Sequence, residues 1–347
     1  MYINFMIEEN KNIYIANWLL LITLLLILMI AVGGITRLTD SGLSITKWDL
    51  FTGVLPPIGA DQWESAFSLY KEIPEYILLN SSMTMQEFKF IYFWEYIHRL
   101  LGRLIGLFFI LPLIFFTIKK FVPKKNDIIY FYFIFLLICF QGFIGWYMVK
   151  SGLTEKTDVS HYRLSLHLTI AFLIYVLLFI KYLDYRMPNF KVNGNKLPFG
   201  LPLFFVFLIL IQISFGAFVS GLDAGKVYQT WPLMNENYFP DDSKFSELLT
   251  LESLERPSLV QFVHRNIAYL ITLIFALILF NIYKKNCYKY LRKVSLLVFG
   301  ALLFQIFLGV LTVVSGAQIF IASMHQIGSI FLITSSLALM FLNSKAN

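Results

Sequence analysis

The chain has 347 residues, of which 58% are hydrophobic, 18% aromatic and 14% charged, with a formal net charge of +7 and a mean hydropathy of +0.70. Soluble domains carry roughly 25% charged residues, so this chain cannot cover a water-facing surface and its main solvent is lipid. That excludes an aqueous enzyme, a nucleic-acid binder and a disordered scaffold. Two cysteines, Cys139 in an apolar run and Cys287 in a basic loop, exclude a disulfide framework and a CxxC metal site.

A helix crossing the hydrocarbon core needs about 20 apolar residues, and eight stretches supply them. None shows the alternation of a membrane β-barrel strand. The first span, 15–37, is too long for a signal peptide and runs into GGITRLTDSGLSITKW, Gly33 to Trp48. An acidic loop follows at about 38–89, with Asp61, Glu64, Glu72 and Glu75. The second span, 90–118, opens on WEYIHRLLGR and so carries Glu95, His98, Arg99 and Arg103 near its start. Lys119, Lys120, Lys124 and Lys125 precede the third span, 127–150. His161 stands at the border of the fourth, 161–186, and His167 lies six residues further in.

A basic connection leads to the fifth span, 198–221, which runs into GAFVSGLDAGKVYQTW, Gly216 to Trp231. The second long loop, about 222–258, is again acidic, with Asp241, Asp242, Glu247 and Glu252. The sixth span, 259–283, carries His264 and Arg265; a third basic loop precedes the seventh, 290–314, and the eighth, 318–342, carries His325. By the positive-inside rule the basic loops and both termini are cytoplasmic, and the long acidic loops face the periplasm or an equivalent space.

The chain repeats itself. Asp40, Gly42 and Trp48 match Asp223, Gly225 and Trp231 at a constant offset of 183. Tyr96-Ile97-His98-Arg99 matches Phe262-Val263-His264-Arg265, Phe140–Gly152 matches Phe304–Gly316, and Ser165-Leu166-His167 matches Ser323-Met324-His325, all in the same order. The expected fold is therefore an all-α integral membrane protein whose eight transmembrane helices form two tandem four-helix-bundle repeats of one orientation. The N-terminal unit is 1–190 and the C-terminal unit 191–347, joined near 187–197.

Ionisable residues at membrane depth are costly and mark function. His98, His167, His264 and His325 occupy duplicated positions near the starts of even-numbered spans. Two imidazoles facing each other across a four-helix bundle can fill both axial positions of a haem iron; the bland alternative is interfacial histidines bonded to carbonyls. Zinc would need further ligands close by, and no such spacing exists. His161 has no counterpart and reads as an interface residue. Arg99, Arg103 and Arg265 could pair with haem propionates, or simply snorkel. Gly102, Gly106, Gly142, Gly145, Gly216 and Gly309 would permit close approach of a helix or macrocycle, with simple helix packing as the alternative.

The halves differ at Glu95, three residues before His98, where the counterpart is Gln261. A carboxylate there suits proton abstraction or stabilisation of positive charge, against a purely structural i,i+4 pair with Arg99. The difference points to chemistry in the N-terminal half and a redox or structural haem in the C-terminal half.

Taken together, GGITRLTDSGLSITKW, WEYIHRLLGR, DVSHYRLSLHL, QTWPLMN, FVHRNIAY and the start of the last helix resemble the haem A synthase family over nearly the whole chain. The likeness is to the mitochondrial and proteobacterial branch, since the extracytoplasmic loops carry no cysteine pair. The resemblance implies an oxidoreductase that converts haem O to haem A for cytochrome c oxidase by oxidising the C8 methyl to a formyl group. By matching motif it makes His264 and His325 the axial ligands of a haem b cofactor. It makes His98 and His167 the ligands of the substrate haem, with Glu95 as catalytic carboxylate. Haem O would arrive through the bilayer or by handover from a haem O synthase; the electron acceptor and any homo-oligomer are left open. Two other functions compete: a two-haem cytochrome relaying electrons from quinol, and a haem carrier or assembly factor.

Overall fold

The structure of the protein, a computed structural model, describes residues 2–48, 52–155 and 157–347; residues 49–51 of the first long loop lie outside it. Ten α-helices are present among the described residues: α1 (Tyr2–Leu38), α2 (Ala60–Tyr70), α3 (Pro74–Leu78), α4 (Met85–Ile118), α5 (Lys125–Glu155), α6 (His161–Arg186), α7 (Leu201–Gly221), α8 (Pro257–Lys284), α9 (Arg292–Val314) and α10 (Ile319–Ser344). Eight of them, all but α2 and α3, contain stretches long and apolar enough to cross a membrane. These agree with the eight spans expected from hydropathy, and no strand is formed among the described residues. The chain is a multi-pass membrane protein.

Local chemistry sets the helix ends. Thr84 accepts a hydrogen bond from the Glu87 backbone N–H while Glu87 accepts one from the Thr84 N–H, a capping box that starts α4 about three turns before Glu95. Pro257 starts α8, where its missing N–H costs nothing. After α1 and after α7 the chain turns through Asp40 (φ 49°) and Asp223 (φ 50°), both left-handed. Asp tolerates that region better than most residues, so the repeated Asp is the repeated turn.

The chain forms two compact units, one of residues 24–171 and the other of residues 1–23 with 172–347. In the second, α7, α8, α9 and α10 pack on one another through buried Phe205, Ile209, Phe275, Leu302 and Leu337. Leu203, Phe207, Leu297 and Phe307 stay exposed, the lipid-facing side expected where bilayer, not water, is the solvent.

In the first unit the long loop is not the plain acidic loop that composition suggests. Its helices α2 and α3 bury Phe67, Tyr70 and Ile73 with Phe88 and Ile91 of α4; Phe67 stacks on Phe88 at 4.8 Å between ring centres. Glu75 is only 4% exposed. It accepts hydrogen bonds from the Tyr70 hydroxyl at 3.0 Å and the Asn80 amide at 3.4 Å. Burial, chiefly, pushes its carboxyl from the ordinary 4.5 up to about 8. A folded-state pKa above the unfolded one means that the folded chain binds the extra proton, so stability falls as pH rises from 4.5 to about 8. Glu75→Gln keeps the acceptor oxygen and removes the titration. Its melting temperature is expected to exceed that of the wild type above pH 8 and to converge with it in acid, as differential scanning fluorimetry in detergent would read.

Candidate functional site

Each of the four duplicated histidines lies on an even-numbered span and turns its ring onto a glycine of the preceding span. The atom nearest the place a glycine Cβ would occupy is the imidazole Cε1 in every case: 2.8 Å for His98 at Gly33, 3.0 Å for His167 at Gly145, 3.3 Å for His264 at Gly216 and 2.9 Å for His325 at Gly309. Real Cβ atoms essentially never come below 3.0 Å, so at Gly33 and Gly309 any side chain would displace the ring. Glycine here serves close approach of a side chain to backbone. Of the six glycines flagged by the sequence, Gly145, Gly216 and Gly309 have this role, Gly102 faces Met29, and Gly106 and Gly142 meet nothing within 4 Å. Gly33 completes the set; only its correspondence to Gly216 in the repeat could have found it.

All four histidines are half-buried, yet their Nδ1 atoms are fully buried and make no hydrogen bond. Of the three ring atoms Cε1 lies nearest the glycine in each case, Nδ1 next and Nε2 farthest. In the first unit the His98 and His167 ring centres stand 6.4 Å apart. One metal ion bound at about 2 Å from an imidazole nitrogen on each side requires ring centres roughly 6 Å apart. Among the described residues no group of three or more His, Cys, Asp or Glu converges, so paired histidines, not a zinc-type cluster, are what this chain offers a metal. An iron with two axial imidazoles and a flat macrocycle between them fits that arrangement.

Glu95 is 3% exposed and fully engaged. Its Oε2 accepts from the Ser44 hydroxyl at 2.7 Å and the Ile45 N–H at 2.8 Å, and its Oε1 from Arg99 at 2.6 Å. The i,i+4 pair expected as the plainer alternative is thus present, inside a larger cluster. Arg99 also donates to the Ile45 and Lys47 carbonyls at 2.8 and 3.1 Å, with its guanidinium 5.0 Å from the centre of the Trp48 ring. Three donors around one buried carboxylate offset its desolvation. The effect is to fasten the stretch Ser44–Trp48, whose sequence is part of the repeated motif, across the start of α4.

The second unit builds the same clasp with other chemistry. Arg265, 8% exposed, donates to the Tyr228 and Leu233 carbonyls at 3.0 and 3.2 Å. Gln261 donates to the Tyr228 carbonyl at 3.0 Å. Tyr228 is Ile45 displaced by 183 residues. A carboxylate captures the loop N–H in one unit, and an amide captures the loop C=O in the other. Arg265 Nε is a buried donor without an acceptor, as a site built to meet a carboxylate would leave it. Arg103 lies one turn beyond Arg99 on α4 and is half-buried. His161 begins α6 with its ring 4.3 Å from that of Tyr162.

Three glutamines escaped the sequence reading. Gln141, Gln212 and Gln305 each donate from Nε2 to the main-chain carbonyl of a site histidine: His167 at 2.8 Å, His264 at 3.0 Å and His325 at 3.0 Å. Gln141 and Gln305 occupy matching places in FQGFIGW and FQIFLGV, which is the signal that could have found them.

Comparison with known proteins bears on the whole chain. The family described as cytochrome oxidase assembly protein matches residues 16–337. Among curated relatives, a heme A synthase of Pelagibacter ubique is 48% identical over 343 residues, covering 98% of this chain and all of the relative. A heme A synthase of Rickettsia bellii is 44% identical over 94% of this chain and 96% of its own length. One from Rickettsia felis is 42% identical over 92% of this chain and 95% of its own length.

Proposed function

The chain belongs to the haem A synthase family of cytochrome oxidase assembly proteins, and from that premise we propose that it oxidises the C8 methyl of haem O stepwise to the formyl group of haem A. The observation that carries the reading is the His98–His167 pair, 6.4 Å apart between ring centres and backed on both sides by glycine. His98 and His167 hold the iron of the substrate haem O. His264 and His325 hold a haem b, which supplies a one-electron carrier within the same protein. The unused donor on Arg265, together with Arg99 and Arg103, meets the propionate carboxylates.

Glu95 lies three residues before His98 on the same helix face and would serve to stabilise positive charge developing at the oxidised methyl. Ser44 and the Ile45 N–H hold that carboxylate still, and Arg99 closes the loop over it. The division of labour follows the tandem repeat: residues 1–190 form the reacting four-helix unit and 191–347 the cofactor unit. The clasp, the left-handed Asp and the glycine-backed histidines all recur at corresponding positions, which supports that duplication. Basic loops and both termini lie on the cytoplasmic side of the bacterial inner membrane, by the distribution of Lys and Arg.

Extraction of haems from protein purified out of a host that makes haem O tests the reading. Haem B together with haem O and haem A is expected; haem B alone, with haem O available, would leave the electron-relay cytochrome as the better account.

A further inference from the structure

Among the described residues only two carboxylates are buried, Glu75 at 4% and Glu95 at 3% exposure, and both belong to the unit of residues 24–171. The turn after α1 joins their surroundings. Its Leu43 packs in one core with Tyr70 and Ile73, just ahead of Glu75 in the chain, while the next residue, Ser44, donates to Glu95. Ser41 and Ser44 place two buried hydroxyls in this turn, at 0% and 2% exposure. Their counterparts at the offset of 183 are Ala224 and Val227, and the counterpart of Glu95 is Gln261. Buried hydroxyls and buried acids are thus absent together from the matching places of the other half.

The two acids are held differently. Glu95 is paired with Arg99. Glu75 accepts only from the neutral Tyr70 hydroxyl and Asn80 amide, with no Lys or Arg bonded to it among the described residues. A buried carboxyl without a counter-cation favours its protonated form. Asp40 of the turn, Glu95 of α4 and Asp158 ahead of α6 add negative charge that works the same way. Asn80 is half-buried, so Glu75 lies one layer beneath the loop surface.

Oxidising a methyl to a formyl group produces protons in a site poor in water. With water as the oxygen source, the hydrogens of methyl and water leave as equal numbers of protons and electrons, the electrons going to a one-electron acceptor. We propose that Glu75 is the proton acceptor for Glu95, receiving by way of the Ser41–Ser44 turn the protons that the Glu95 carboxylate takes up. The proposal rests on the reading that Glu95 serves the reacting methyl. In the step an O–H bond breaks on Glu95 and one forms on Glu75, and no electron moves. The Ser44 hydroxyl, already bonded to Glu95, can accept and donate in turn. Glu75 acts through Glu95 and not on the haem itself.

Haem O conversion by the purified, haem-loaded protein, followed in light and heavy water across about pH 6 to 9, tests this. Glu75 can accept only as the carboxylate, and its carboxyl titrates at about 8, so wild-type kcat should rise as pH passes through that value. Glu75→Gln should lower kcat about tenfold or more, leave KM for haem O in place, lose the rise with pH and enlarge the solvent isotope effect. Glu75→Asp keeps a carboxyl in the same core and should retain the rise. Infrared difference spectra of oxidised against reduced protein should also contain a protonated-carboxyl band that Glu75→Gln removes. Wild-type kcat, pH profile and isotope effect in Glu75→Gln would overturn the proposal. So would Gln and Asp variants equally slow at every pH, the mark of a purely structural role. If the wild type itself leaves haem O unaltered, the synthase reading falls, and the proposal with it.

Discussion

Glu95→Ala is expected to yield a protein that retains both haems and accumulates haem O, with haem A formation reduced about 100-fold or more, the scale of losing a well-placed acid–base or charge-stabilising group. Haem retention follows from what the substitution leaves behind. Arg99 keeps its bonds to the Ile45 and Lys47 carbonyls, so the Ser44–Trp48 stretch stays attached to α4. The Ser44 hydroxyl and Ile45 N–H lose their acceptor, and Arg99 loses its counter-ion. Breaking a buried pair in this way costs about 3–5 kcal/mol of stability. Glu95→Gln separates charge from fastening, because its amide oxygen can still accept from the loop. A Gln variant with intact thermal stability and low haem A yield assigns the defect to the lost charge. An unchanged haem A yield in Glu95→Ala, measured by chromatography of extracted haems, removes the proposed role.

Truncating His264 or His325 to Ala should abolish the low-spin spectrum of one haem and leave the other. Each ring is backed by glycine, which itself offers no replacement ligand. Total haem should fall towards one-half of the wild-type content through loss of haem b, and haem A formation should fall with it, since the carrier proposed for the second unit is lost. Electron paramagnetic resonance of the oxidised protein reads the outcome. A wild-type low-spin signal in both variants would contradict the ligand assignment.

Much of this was legible in the sequence because charge is so scarce in it. Against a 58% hydrophobic background, four histidines at repeated positions stand out, and apolar runs set the helix boundaries closely except at the start of α1, which begins at Tyr2 and not at 15. The repeat also exposed the Glu95–Gln261 difference. What it could not expose was which partner each of these residues chooses. Glu95 and Gln261 both grip the loop after the preceding span, one by its N–H and one by its C=O, and that depends on a contact some 50 residues distant in sequence. The structure within the first acidic loop was not legible for a related reason. In the sequence Glu75 is one acidic residue among several; in the structure Tyr70 and Asn80 bond it beside a small aromatic core. That core depends on Phe67 meeting Phe88 across the loop, a pairing that hydropathy does not encode. Glutamine in an apolar span, likewise, signals a polar bond without saying to what, and only the placement of α5 beside α6 and of α9 beside α10 gives Gln141 and Gln305 their carbonyls.

The central claim is that this chain itself oxidises the haem held by His98 and His167. Its most direct test is to supply haem O and an electron acceptor to the purified protein in detergent, and to follow the substituent at C8 by mass spectrometry of the extracted haems. The account predicts that haem O is converted to haem A by the wild type and remains haem O with Glu95→Ala. Haem O that stays unaltered in wild-type protein with both low-spin haem spectra intact would contradict it.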